Sequence, residues 1–191
     1  MPACRLEPLR LTNQVAASIA DLCHRVFSEP PYAGINRDGL EERLRRLSAY
    51  PQFDGRVALD EEGRLLGFAY GWLSQPGQWW HDQLRALLDP TDAERWLGNC
   101  FEFVELAVGA EFRGQGVGGA LHDSLLGAQS QRTAILSVNP QARPAYNLYL
   151  SRGWRIVVEP AFFREGSPAV RIMGLDLPFR GRSAGREHGM G

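Results

Sequence analysis

Between Arg113 and Gly119 the chain reads RGQGVGG, with four glycines in the six residues from Gly114 to Gly119. Glycine lets a backbone turn tightly and approach a ligand without Cβ clashes. The run follows FEFVELAV (101–108), which reads as a strand, and opens VGGALHDSLLGAQ (117–129), where Val117, Leu121, Leu125 and Ala128 fall in a helical stripe. At such a strand-to-helix junction several N–H groups converge at a helix N-terminus, and the helix dipole favours an anion there. The chemistry indicated is diphosphate binding, with Arg113 adding a formal charge at the mouth.

Two kinds of loop would serve. Gly114, Gly116 and Gly119 satisfy the G-x-G-x-x-G pattern of a dinucleotide site. That site expects a carboxylate about twenty positions on, at the end of the next strand, to hold a ribose. Here the region reads SVNPQ (137–141), without a carboxylate, and too little chain follows to complete a doubly wound sheet. The nicotinamide reading is therefore the weaker one.

Other residues near the loop can move protons. Glu102 and Glu105 share the strand before it. Their odd spacing predicts opposite faces of the sheet unless a bulge intervenes. Tyr149 lies in PAYNLYLSRG (144–153), a predicted helix begun by Pro144 and stopped by Gly153. A phenol with a pKa of roughly 10 stays protonated at neutral pH and can act as a general acid.

The elements that must position these groups follow from apolar periodicity. CRLEPLRL (4–11) reads as a strand, and Thr12 or Asn13 caps a helix ending near Phe27 with Val15, Ile19, Leu22 and Val26 on one face. SEPPYAGINRDG (28–39) is a loop, and LEERLRRLSAY (40–50) a short amphipathic helix. Two apolar runs, Val57–Leu59 and Leu65–Leu73, flank the turn DEEG as a hairpin. HDQLRALL and DAERWL read as helices in a less regular stretch, 75–99, and TAILSV, WRIVVE and AVRIMGLDL as further strands. The order predicts one mixed α/β (α+β) domain over 1–178, with a sheet of about seven strands, and a flexible Gly/Arg/Ser-rich tail at 179–191.

Taken from its arginine, Arg113-Gly114-Gln115-Gly116-Val117-Gly118 has the form [Q/R]-x-x-G-x-[G/A]. With ELAV before it and LYLSRGW (148–154) after it, the chain resembles the GNAT acetyltransferase superfamily over roughly residues 4–177. The resemblance implies a mostly antiparallel sheet splayed at its central strands and acetyl-CoA as cofactor. It implies that the backbones of Leu106, Ala107 and Val108 hold the pantetheine arm. The pyrophosphate would rest on Arg113, Gly114, Gln115, Gly116, Val117, Gly118 and Gly119, with Asn139 within reach. Glu102 matches the base of histone-type members. Glu105 matches an acidic substrate contact of polyamine-type members, and the residues alone do not choose between the two. Tyr149 takes the place of the family's proton donor. One departure concerns the asparagine often found three residues before the alanine matching Ala145: that place is Ala142 here. Members are often dimers, so a homodimer stays open.

Composition narrows the remaining choices. All 21 basic residues are Arg, so lysine-based phosphate binding or Schiff-base chemistry is excluded. A net charge of -1 argues against a nucleic-acid or membrane-surface partner. Cys4, Cys23 and Cys100 lack metal or redox spacing, and His24, His81, His122 and His188 are scattered, so no metal is expected. No signal peptide or spanning segment is apparent, and the expectation is a cytoplasmic protein. The resemblance implies a small-molecule or peptide amine as acceptor, with Tyr32, Trp79 and Trp80 as expected walls and Asp82 as a candidate polar contact, whereas His81 reads rather as part of a surface helix start. Only Cys100 lies near the proposed site in sequence, which favours direct transfer over a covalent acyl-enzyme. The second reading is a non-catalytic module that binds or senses acetyl-CoA.

Overall fold

The computed structural model describes residues 4–32, 34–164 and 166–178; the tail expected at 179–191 lies outside the described residues. The elements are β1 (Arg5–Pro8), α1 (Asn13–Phe27), α2 (Leu40–Leu47), β2 (Asp54–Leu59), β3 (Leu65–Ser74), α3 (Trp79–Leu87), α4 (Pro90–Leu97), β4 (Cys100–Val108), α5 (Val117–Leu126), β5 (Thr133–Val138), α6 (Arg143–Ser151), β6 (Arg155–Ala161) and β7 (Val170–Asp176). Thr12 caps α1, its side chain accepting from the Val15 amide, and Asp89 caps α4 with Pro90 in the first turn.

The seven strands form one sheet in the order β1-β2-β3-β4-β5-β7-β6. Every pairing is antiparallel except β4 with β5. One face packs Phe101, Phe103, Ala134 and Leu136 against Leu121 and Leu125 of α5 and Tyr149 of α6. The other face carries Phe68, Tyr70 and Trp72 under Ile19 and Leu22 of α1 and Leu44 of α2. Farther along, Leu84 of α3 and Trp96 of α4 cover Cys100, Ile135 and Ile172.

Two irregularities shape β4. The register against β3 shifts between Tyr70, opposite Glu105, and Gly71, opposite Phe103, so Val104 is the extra residue of a bulge. Gly71 permits it: a Cβ there would come within 2.1 Å of the Glu102 carbonyl oxygen and 2.6 Å of the Phe101 ring. On its other side β4 meets β5 only along Cys100–Glu102, while β5 continues to Val138 in register with β7. Beyond Glu102 the two strands diverge, and the β4 edge there has no strand partner.

Candidate active site

The divergence opens a cleft of about 830 Å³. Leu106, Ala107 and Val108 of β4 line it beside Arg113, Gly114, Gly116, Gly118 and Gly119. Ala145 and Leu148 of α6 form the facing wall, and Phe27 and Tyr32 close one end. Gly114 and Gly116 have φ of +73° and +86°, left-handed values that favour glycine. Gly116 is the N-cap of α5, no side chain caps that helix, and its first turn holds no carboxylate. The amides at its start are therefore left for an anion. An unpaired strand edge, uncapped amides and a cleft of this size fit the pantetheine and pyrophosphate of acetyl-CoA.

The other loop residues support the cleft. Arg113 donates from Nε to the Val108 carbonyl at 3.2 Å and faces Glu29 at 3.7 Å. Gln115 donates to the Glu111 carbonyl, and Val117 is buried in the core. Asn139 does not line the cleft; it donates to the Pro31 carbonyl at 3.3 Å and accepts from the Gln141 amide, tying the α1–α2 loop to the approach of α6.

Glu102 and Glu105 lie on the same face. The Trp72 Nε1–H donates to Glu102 at 3.1 Å and the Tyr70 hydroxyl to Glu105 at 2.5 Å; these two donors are alternate residues of β3. The bulge at Val104 absorbs one residue and cancels the alternation, correcting the expectation of opposite faces. Burial pushes the Glu102 pKa up to about 8, against the opposing pull of the Trp72 hydrogen bond. Glu105 lines a crevice of about 20 Å³ between α1, α2 and β3, with Cys23, Arg43, Leu44 and Tyr70.

Tyr149 is buried against Phe103 and Trp154, with ring centroids 6.2 and 5.7 Å away. Burial, with a smaller contribution from the Tyr32 phenol, raises its pKa well beyond the usual phenol value, so it keeps its proton. Tyr32 packs edge-on to Phe27 at 4.9 Å, and its own pKa is raised by burial, eased by Arg113 and reinforced by Glu105. Glu105, Tyr32, Arg113 and Tyr149 thus share one electrostatic neighbourhood.

The tryptophans sit elsewhere. Trp79 is half exposed beside Phe163 and Arg164, Trp80 packs on the α3–α4 core, and neither lines either cavity. His81 is buried and bonded to Ser74 Oγ at 3.0 Å, with its pKa lowered by burial, and Asp82 accepts from the Gly77 amide. These are contacts that build the insert.

Three site residues escaped the sequence reading. Tyr70 and Trp72 read only as strand residues, and Cys23 as a residue of the first helix. Cys23 in fact reaches Glu105, its thiol 3.5 Å from a carboxylate oxygen, so Cys100 is not the only cysteine near the site. Burial, the Glu105 charge and that hydrogen bond push the Cys23 pKa far up. It stays a thiol and a poor nucleophile. No signal in the sequence pairs positions 82 residues apart.

Among the described residues no cluster of side chains is suited to a metal, and no helix is long and apolar enough to cross a membrane. A model of the acetyltransferase (GNAT) family matches residues 20–154. A GCN5-like protein acetyltransferase of Mycobacterium tuberculosis is 30% identical over 122 residues, 60% of this chain and 59% of the relative. The chain thus spans about three-fifths of that curated relative's length. A protein of Pyrococcus horikoshii shares the fold at a TM-score of 0.66 and 18% identity, over 91% of this chain and 98% of that one. A phosphinothricin acetyltransferase of Sinorhizobium meliloti, solved with AcCoA, does so at 0.61 and 17%, over 90% and 88%.

Proposed function

The chain belongs to the GNAT acetyltransferase family, and from that premise we propose that it acetylates a primary amine from acetyl-CoA by direct transfer in a ternary complex. The observation that carries the proposal is the meeting of the unpaired β4 edge with the uncapped start of α5 in one cleft. Leu106 and Val108 would hold the pantetheine arm as an added strand, and Arg113 with the α5 amides the pyrophosphate. When bound, acetyl-CoA supplies an acetyl group activated as a thioester.

The protein's own residues manage two protons. An ammonium must lose one before its nitrogen can attack. Glu105 faces the acceptor side and is fixed by Tyr70, so it receives the ammonium and takes that proton. Glu102, buried on the same face, holds a proton readily at neutral pH and so is the poorer base of the two. The nitrogen–carbon bond forms as the carbon–sulfur bond breaks. The departing sulfur takes a proton from Tyr149, the amine's second proton leaves the product nitrogen to restore that of Tyr149, and Glu105 gives its own up to solvent. The balance is an amide, a thiol and one proton released to solvent. Cys23 and Cys100 are both buried with raised pKa values, so neither suits a covalent route. The cysteines are free thiols, which suits a reducing, cytoplasmic setting.

The test is CoA release from acetyl-CoA across amino acids, amino sugars, polyamines and peptides, beside acetyl-CoA binding by thermal shift. Amine-dependent release supports transfer. Tight binding with only background hydrolysis for every amine overturns it in favour of a sensing module.

A further inference from the structure

The crevice beneath α2 names an acceptor class, an inference that rests on the transfer reading above. Arg45 and Arg46 of α2 pair with Glu41 and Glu42 one turn away, and Arg37 just before the helix pairs with Asp21 and Glu41. Arg43 makes no ion pair with any described residue. It instead lines the crevice that holds Glu105. Its charge reaches the interior, where it works against the upward shifts of the Cys23 thiol and the Tyr70 phenol. Glu105 is fixed there by those same two groups.

The crevice is therefore lined by an anchored anion and by an exposed cation that makes no ion pair with it. At about 20 Å³ it has room for one water-sized group, which an ammonium matches, so the rest of a ligand would lie outward beside the exposed Arg43. The remaining walls, including Ile19, Leu40 and Leu44, are aliphatic. Both charged groups line this one crevice, so a short ligand with its ammonium inside can turn its anion to Arg43. A protein lysine brings an ammonium with no anion beside it, and would leave Arg43 unmatched.

We propose that the acceptor is a free α-amino acid, its ammonium on Glu105 and its carboxylate on Arg43. Recognition of the carboxylate by a guanidinium fork is charge-assisted and can be bidentate.

The test compares kcat/KM for L-alanine, L-leucine and L-methionine with their amides, alongside an N-acetylated lysyl peptide. The amide's amine is the less basic of each pair and so the more available for attack. A preference for the acid therefore cannot come from protonation. The expected preference for at least one acid is about tenfold or more, and Arg43→Gln brings the acid-to-amide ratio to within about twofold, while Arg43→Lys keeps part of it. Equal or better use of all three amides overturns the proposal, as does an equal loss on acid and amide in Arg43→Gln. Acetylation of the lysyl peptide alone overturns it while leaving the transfer reading intact. Failure of all of these acceptors overturns this proposal, and failure of amino sugars and polyamines besides, with acetyl-CoA still raising Tm, removes the transfer reading with it.

Discussion

Glu102 and Glu105 point from one face of β4, each held by a β3 aromatic: Trp72 Nε1 bonds the first and the Tyr70 hydroxyl the second. The bulge at Val104 makes this possible by slipping the register between Tyr70 and Gly71. Two carboxylates in one neighbourhood then differ in environment. Glu102 sits in the dry interior, and Glu105 opens onto a crevice. Unlike surroundings are how paired acids acquire unlike roles.

That difference gives Glu102 a signature in stability. Its folded pKa, about 8, lies above the value of 4.5 expected without burial. The folded state holds the proton more tightly, so this contribution is fully present below about pH 4.5 and is lost as pH rises to about 8. The wild type should lose a few kcal/mol over that window, an order-of-magnitude figure. Glu102→Gln, which stays neutral, should lack this slope and be the more stable protein at pH 8. Urea midpoints at low, neutral and mildly alkaline pH decide it; parallel slopes for the two proteins would refute the raised pKa.

Gly71 should tolerate no side chain. A Cβ there meets the Glu102 carbonyl oxygen at 2.1 Å, a backbone atom that cannot swing aside. Gly71→Ala must shift β3 against β4 or undo the bulge, at a cost of about 1–3 kcal/mol or more. Turnover should fall by more than acetyl-CoA binding, because the displaced residues carry the carboxylates rather than the cofactor loop. Tm, acetyl-CoA affinity and kcat measured together check this. Full kcat at reduced Tm would separate the bulge from the chemistry.

The helices and strands were legible in the sequence because each buries one apolar face, so residues such as Ile19 and Leu22, or Leu121 and Leu125, recur at the spacing of the element. The glycine loop was legible because its requirement is local: positive φ at Gly114 and Gly116 is written in residue type. The facing of Glu102 and Glu105 was not. It depends on a register slip across to Gly71, and pairing register is a property of two strands. Cys23 and Arg43 were missed for a related reason. They come from α1 and α2, and only tertiary packing brings those helices over Glu105. Trp79 and Trp80 were expected as site walls from the resemblance and their place before the central strand, whereas α3 sets them beside Phe163.

Gly116→Asp should abolish cofactor binding while leaving the fold. The residue starts α5 with φ of +86° and meets the cleft directly. A carboxylate there would repel a pyrophosphate and occupy the helix amides itself. Acetyl-CoA should no longer raise Tm, with affinity down about tenfold or more, since a 1.4 kcal/mol loss suffices for that. Wild-type affinity in the variant would place the pyrophosphate elsewhere.

Glu29 should compete with the cofactor for Arg113. The two face each other at 3.7 Å, both largely exposed, at the mouth of the cleft. Such a surface pair is worth about 0–1 kcal/mol. Glu29→Gln should leave Tm unchanged and tighten acetyl-CoA binding up to about fivefold at low salt. The gain should fade as salt rises and screens the loop. Titration calorimetry at two ionic strengths checks it; a salt-independent change would point to a shape effect rather than to charge.

Tyr149→Phe tests the second proton. Its ring belongs to the core with Phe103 and Trp154, and a phenylalanine keeps that packing. Its raised pKa keeps the hydroxyl protonated at working pH, the form in which it can donate, though as a weaker acid than an exposed phenol. Removing it should lower kcat by about 10²-fold, the low end for a positioned general acid. Acetyl-CoA affinity should stay within about twofold, because a phenylalanine keeps the core packing that sets the cleft wall. The deficit should shrink with a thioester whose leaving thiol is more acidic, such as an aryl thioester of the pantetheine arm, since that sulfur needs less help. An equal deficit on both thioesters would assign Tyr149 to packing and leave the proton to come from solvent.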